Sequence, residues 1–312
     1  MNRTLGLFPE PPNYTKGRFT DGPDTSPNST SPLGGVWHEQ LAGFLGLPPA
    51  TPFTSGGLDY AFGGATTGLG TANFGVTDNM FMQVQDYLAA HTASSSALYT
   101  FWGGANDLLD AATASGATPQ SIANAEKAAI FFMEIEMAVL FNAGARQFLW
   151  LDLPPLQATP EARSLSPDIA DALATASSTF RSDWAAAIPQ FRSAGATMTG
   201  VDVYSAFLLT LAFPSAFGLT NVTDPSQGTS ANPDQYLFWD SLHPTTHGHT
   251  LVALYALQAL TSGTQAGGAF SSADAFDGSP APEPASFALI GLGLAGIAFL
   301  RKYGIIRLLL SR

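Results

Sequence analysis

The hydrophobic and polar positions of this chain divide it into strands and helices with little ambiguity over its middle half. Three apolar runs, ALYTFW (97–102), QFLWLDL (147–153) and MTGVDV (198–203), are short and bounded by Gly-Gly or Pro-Pro or by polar turns, and none alternates cleanly. Strands of that kind are buried on both faces. Between them the spacing predicts helices over 119–144 and 167–194, with another over 80–90. Strands separated by helices indicate an α/β fold with a parallel sheet covered on both sides. WHEQLAGFLGL (37–47) reads as a short amphipathic helix, and 58–64 as a strand followed by a loop. The stretch 7–34 is rich in Pro, Gly, Ser, Thr and Asn and reads as loop. After His243 comes TLVALYALQAL, apolar nearly all round, which reads as a buried helix. In such folds sites form at the carboxyl ends of the strands.

Composition adds constraints. Only 12% of residues are charged and the net charge is −12, so the surface is covered mainly by small polar side chains. Phosphate backbones need clustered Lys and Arg, which excludes a nucleic-acid partner. The absence of cysteine excludes disulfides and thiolate metal sites. No secretory signal is visible at the N-terminus, where prolines break the apolar residues.

The C-terminal end differs from the rest. A Gly/Ser/Asp-rich linker over 263–281 precedes Pro282-Glu283-Pro284, an unbroken apolar run over 285–300, and Arg301-Lys302. The run is close to the length of a membrane span and carries glycines at 291, 293 and 296. This order of parts resembles the PEP-CTERM sorting signal. The resemblance implies export to the bacterial cell envelope or matrix, a transmembrane helix before processing, and an exosortase-type partner. The chain then divides into a domain over 1–262, the linker, and a sorting segment over 282–312.

Three stretches could carry chemistry. FWGGANDLLD (101–110) puts two glycines after a strand and Asn106 just beyond. Asn106 has an amide able to donate two hydrogen bonds, although Asn and Asp there equally suit a turn that caps the next helix. DYAFGGATTGLG (59–70) contains Gly63-Gly64, which suits either a flexible loop or a backbone donor aimed at an oxyanion. FWDSLHPTTHGH (238–249) sets Asp240 three residues ahead of His243, and Pro244 disfavours helix at the histidine. Asp240 could then hold Nδ1 and leave Nε2 to accept a proton. A turn aspartate beside a spacer histidine, or a metal site using His243 and His247, are the alternatives. Asp240→Asn is expected to hurt less than loss of the ring, because it misorients the imidazole and does not delete it.

In this order the three stretches resemble the SGNH/GDSL hydrolase superfamily, in its lipase/acylhydrolase-like branch. YTKGRFTDGP (14–23) and LDLPPLQATP (151–160) extend the likeness. The resemblance implies a flavodoxin-like three-layer α/β/α domain and a serine ester hydrolase without cofactor or metal. By position, Gly64 and Asn106 would donate to the oxyanion hole, His243 would be the base and Asp240 its orienting acid. Lipid, O-acylated glycan and aryl esters all suit the superfamily as substrates. The chain departs from the pattern at one point. The family's Gly-Asp-Ser nucleophile block and first strand, expected ahead of GRF, are missing, and Asp277-Gly278-Ser279 has another order and lies in the linker. Two expectations follow: a reading frame that continues upstream of Met1, or a serine-less relative that binds at surface or matrix without turnover. A structural coat protein fits the polar surface but leaves Asp240, His243 and Asn106 unexplained.

Overall fold

The computed structural model describes residues 18–21, 35–48, 50–68 and 79–262. The N-terminal loop for the most part, the linker after 262 and the apolar run at 285–300 lie outside the described residues. Among the described residues, no helix is long and apolar enough to cross a membrane.

The central sheet has three parallel strands in the order β1-β2-β3: Leu98–Phe101, Gln147–Leu151 and Thr197–Val201. In β2 the sequence FLWL is buried on both faces, as its lack of alternation predicts. Phe148 and Trp150 enter one core with Phe180, Trp184 and Met137, while Leu149 and Leu151 enter the other with Trp37, Phe207 and Val252. The first core is built by α2 (Met80–Ala90), α3 (Ala105–Thr113), α4 (Pro119–Asn142) and α5 (Pro167–Ser193). The second is built by α1 (Trp37–Phe44), α6 (Val203–Ala212) and α7 (Thr246–Ser262). Helices therefore cover both faces of the sheet.

The boundaries have local causes. Helix α4 starts where Thr118 accepts a hydrogen bond from the Ser121 amide and Pro119 occupies the first turn, where its missing N–H costs nothing. At Gly200 a Cβ would strike Trp184 and Ile188, so the glycine lets α5 lie close on β3. Gly104, at φ +97°, turns the chain from β1 into α3 in a conformation that L side chains rarely adopt.

Two expectations need correction, and one strand pair was not foreseen. Residues 58–64 form no strand: Asp59 makes one isolated bridge to Pro52, because no neighbouring strand lies beside it among the described residues. Helix α7 buries only one face, through Val252, Ala253 and Ala256, and leaves Leu254 45% exposed. A second small parallel pair, β4 (Asn221–Pro225) and β5 (Tyr236–Phe238), was not legible in NVTDP, which is polar and ends in proline.

Candidate active site

The loop after β5 is folded back on its own strand. Trp239 N–H donates to the His243 carbonyl at 2.8 Å, and Thr245 N–H donates to Leu237 at 3.0 Å. Pro244 bridges Phe238 in antiparallel fashion, and Thr245 Oγ1 caps the Gly248 amide at the start of α7 at 3.1 Å. Within this clamp Asp240 Oδ1 accepts from the amides of Leu242 (2.8 Å) and His243 (2.6 Å), which orients the carboxylate. Its Oδ2 lies 2.7 Å from His243 Nδ1. An ionised carboxylate only accepts, so Nδ1 carries the ring proton and Nε2 presents its lone pair. Both side chains are largely buried, at 11% and 13% exposure.

A strip at residues 18–21 holds this loop from the other side. The Phe19 ring lies 4.5 Å from the His243 ring. Thr20 Oγ1 donates to the Pro244 carbonyl at 3.2 Å, and Asp21 Oδ1 accepts from the Thr246 amide at 2.6 Å. The sequence offers these positions only within YTKGRFTDGP, because contacts across some 225 residues leave no local pattern.

Asn106 and Asp107 sit in the first turn of α3, but neither caps it, because the N-cap is Gly104. The helix-capping reading of these residues therefore fails. Instead, Asn106 Nδ2 donates to the Ala65 carbonyl at 2.7 Å. The Asp107 carboxylate accepts from Thr67 N–H (3.1 and 3.3 Å) and from Thr67 Oγ1 (2.9 Å). Together they tie the glycine loop to the end of β1. Burial pushes the Asp107 carboxyl up to about 6, against the opposing bonds from Thr67. Gly64, at φ +79°, makes the turn of that loop.

One cavity of about 440 Å³ brings His243, Asn106, Trp102 and Gly103 into a common wall. Gly64 itself is not part of that wall, although Phe62 and Ala65 on either side of it are. His247 points elsewhere: its Nε2 donates to the Phe217 carbonyl at 2.8 Å. Among the described residues no group of three or more His, Asp or Glu is arranged to hold a metal ion. The hydroxyls on the cavity wall belong to Thr100, Thr159, Tyr60, Tyr87 and Tyr99, and none of them is hydrogen-bonded to His243.

The model of the GDSL-like lipase/acylhydrolase family matches residues 14–256, which includes Gly64, Asn106, Asp240 and His243. The chain belongs to that family. GDSL relatives include a thermolabile hemolysin of Vibrio parahaemolyticus, 22% identical over 81% of this chain and 58% of its own length. A phosphatidylcholine-sterol acyltransferase of Aeromonas hydrophila is 29% identical over 52% of this chain and 42% of its own. A GDSL esterase/lipase of Arabidopsis thaliana is 25% identical over 38% of each. The chain thus spans about half the length of these relatives. The PEP-CTERM protein-sorting motif matches residues 280–302 and indicates export and sorting in bacteria.

The core around the site also stores buried acid. Glu136 is fully buried with neither carboxyl oxygen hydrogen-bonded, and burial holds its pKa well above the usual carboxylate range. Burial, then the charge of Asp183, raises Glu126 to about 7. The native state therefore keeps protons that the unfolded chain has released. Stability is full below the unfolded-state value near 4.5 and is lost as pH rises through the folded value near 7. Melting by calorimetry is expected to fall by several degrees between pH 5 and 8. The double variant Glu126→Gln, Glu136→Gln should flatten that slope; a slope unchanged in the variant would assign it to other groups.

Proposed function

We propose that this chain is the body of an exported ester hydrolase that works through a hydroxyl nucleophile, His243 as base and Asp240 as its orienting acid. The observation that carries this reading is the Asp240–His243 pair, with Nδ1 held at 2.7 Å, in the wall of the cavity that also contains Asn106. In the reaction, the nucleophile's proton passes to Nε2 as its oxygen attacks the acyl carbonyl. The charged imidazole gains from the adjacent carboxylate. The developing oxyanion takes a hydrogen bond from the second N–H of Asn106 Nδ2, the first being held by Ala65. By its place in the family pattern, Gly64, in the loop whose Phe62 and Ala65 line the cavity, is the backbone donor. Nε2 then gives its proton to the departing alkoxide as the C–O bond breaks, and water releases the acyl group by the same steps. No cofactor takes part.

The substrates are acyl esters, of lipid or of O-acylated glycan. Residues 1–262 form the hydrolase domain and 263–281 the linker. Residues 282–312 form the sorting segment, whose apolar run sits in the membrane until the exosortase-type partner processes it. A second reading has a specific observation behind it: none of the hydroxyls on the cavity wall approaches His243. On that reading the protein is a binding module of the surface or matrix, without turnover. Two assays on the natural protein decide between them. Hydrolysis of p-nitrophenyl butyrate together with covalent labelling by a fluorophosphonate is expected. Neither labelling nor turnover would leave the binding module standing.

A further inference from the structure

The helices on the two faces of the sheet differ in charge. Helix α5 alone carries five charged residues and α4 four, whereas α6 and α7 carry none. From Val203 to Thr223, and again from Ser241 to Ser262, the chain has no Asp, Glu, Lys or Arg. In α1, which shares their core, the one charged residue is Glu39, and Arg18 pairs with it at 2.6 Å. Large apolar side chains stand out of this uncharged surface. Phe213, at the end of α6, is 59% exposed, and Leu208 on α6 and Leu254 on α7 are each 45% exposed. They do not hold the helices to the sheet; Val203, Phe207, Val252 and Ala256 do that. A lone exposed leucine is ordinary. Three large apolar side chains on helices without charge, in a chain of net charge −12, mark a surface that meets something apolar.

Shape restricts the occupant. Helices α6 and α7 close on each other, and the cavity between them is about 10 Å³, too small for an inserted side chain. Peptide segments bind in grooves or along open strand edges. This pair of helices offers neither. A second copy of the chain would need roughly 800 Å² of matched surface from each partner. A bilayer needs no matched surface, because lipid flows round side chains that stand singly.

The chain's own path brings a bilayer near. Helix α7 ends at Ser262, and Leu254 lies about 12 Å back along it. The linker of nineteen residues, 263–281, leads from that end to Pro282-Glu283-Pro284 and the apolar run at 285–300. With the run seated in the membrane, a Gly/Ser-rich chain of that length would keep Ser262 within about 25 Å of the lipid on average. A tether of this reach raises the effective concentration to about millimolar, so adsorption too weak to hold a free protein is enough here.

We propose that the outer face of α6 and α7, through Leu208, Phe213 and Leu254, is a membrane-docking surface that lays the domain on the bilayer while the tail is seated in it. The tether rests on the membrane-seated tail of the proposed function; the surface rests on the exposed side chains and the missing charge. Neither uses the ester-hydrolase chemistry. The contact is apolar, so it requires no anionic lipid and persists at high salt.

The chain has no cysteine, so one introduced thiol places a fluorophore at a chosen residue. Leu208→Cys, Phe213→Cys and Leu254→Cys are compared with Ser182→Cys, at an exposed position of α5 on the other side of the sheet. Each full chain is reconstituted with phosphatidylcholine vesicles that carry a lipid-bound quencher. Labels at 208, 213 and 254 should be quenched at least about threefold more than the label at 182, equally at low salt and at about 1 M sodium chloride. Aspartate at the two unlabelled positions of the trio should abolish quenching at the third and leave the melting temperature unchanged, because these side chains are exposed. Flotation after an alkaline wash reads the tail separately. If the chain floats while its 208, 213 and 254 labels are reached only by aqueous iodide, the docking surface is overturned and the tether stands. Lipid quenching in a chain that the wash strips from the vesicles keeps the surface and removes the tether. Quenching that disappears at high salt overturns the apolar contact. Labels shielded from both quenchers overturn it as well, because protein then covers the face.

Discussion

On the ester-hydrolase reading, His243→Ala should reduce ester hydrolysis by about 10⁴-fold or more while the melting temperature stays within a few degrees. Among the described residues of the cavity wall, the His243 imidazole is the one whose Nδ1 is held by a carboxylate, which leaves Nε2 to present its lone pair. The fold loses little, because the clamp around it uses backbone groups of residues 239, 243 and 245. The neighbouring substitution is the more discriminating one. Asp240 Oδ1 is tied to two backbone amides, so Asp240→Asn can keep those bonds only by turning its NH₂ toward Nδ1. That donor forces the ring proton to Nε2, and the base is then in the wrong tautomer. Asp240→Asn should therefore cost nearly as much as loss of the ring, and not the milder loss expected from misorientation alone. Retention of more than about a tenth of the activity in either variant, measured as kcat/KM on a short-chain ester, would take the pair out of the mechanism.

What could be read from the sequence follows a physical line. Strand β2 was legible because QFLWL must be buried on both faces and leaves no room for another structure. Helices α4 and α5 were legible because they are long and start at Thr-Pro and Ser-Pro. The Asp240–His243 pair was legible because its contact is local, three residues apart. The failures share a different cause. Residues 58–64 have the composition of a strand, but a strand exists only by pairing, and no partner flanks them among the described residues. Asn106 and Asp107 were legible as a donor and an acid, but their targets, Ala65 and Thr67, lie some 40 residues away. Phe19 and Asp21, and the buried Glu136, carry no periodic signature. Their roles appear only once the chain has closed on itself.

Asn106 should give the second large effect, and its two N–H groups make the result informative. One is committed to the Ala65 carbonyl at 2.7 Å, which holds the glycine loop at the end of β1. The other is free to meet charge that forms in the cavity. Asn106→Ala removes both, so a fall of about 10²–10³ in kcat is expected, with KM changed only a few-fold, because the lost bond strengthens as charge develops. A small drop in melting temperature should accompany it, from the single neutral bond to Ala65. Asn106→Asp separates the two contributions. It keeps the shape but places a carboxylate against both the Ala65 carbonyl and the oxyanion, so it should be at least as inactive as the alanine variant and less stable. Thr67→Val completes the set: it takes one bond from Asp107 and loosens the same loop without touching the donor. If Thr67→Val lowers kcat as far as Asn106→Ala does, the asparagine acts by holding the loop, and its place beside the oxyanion is lost.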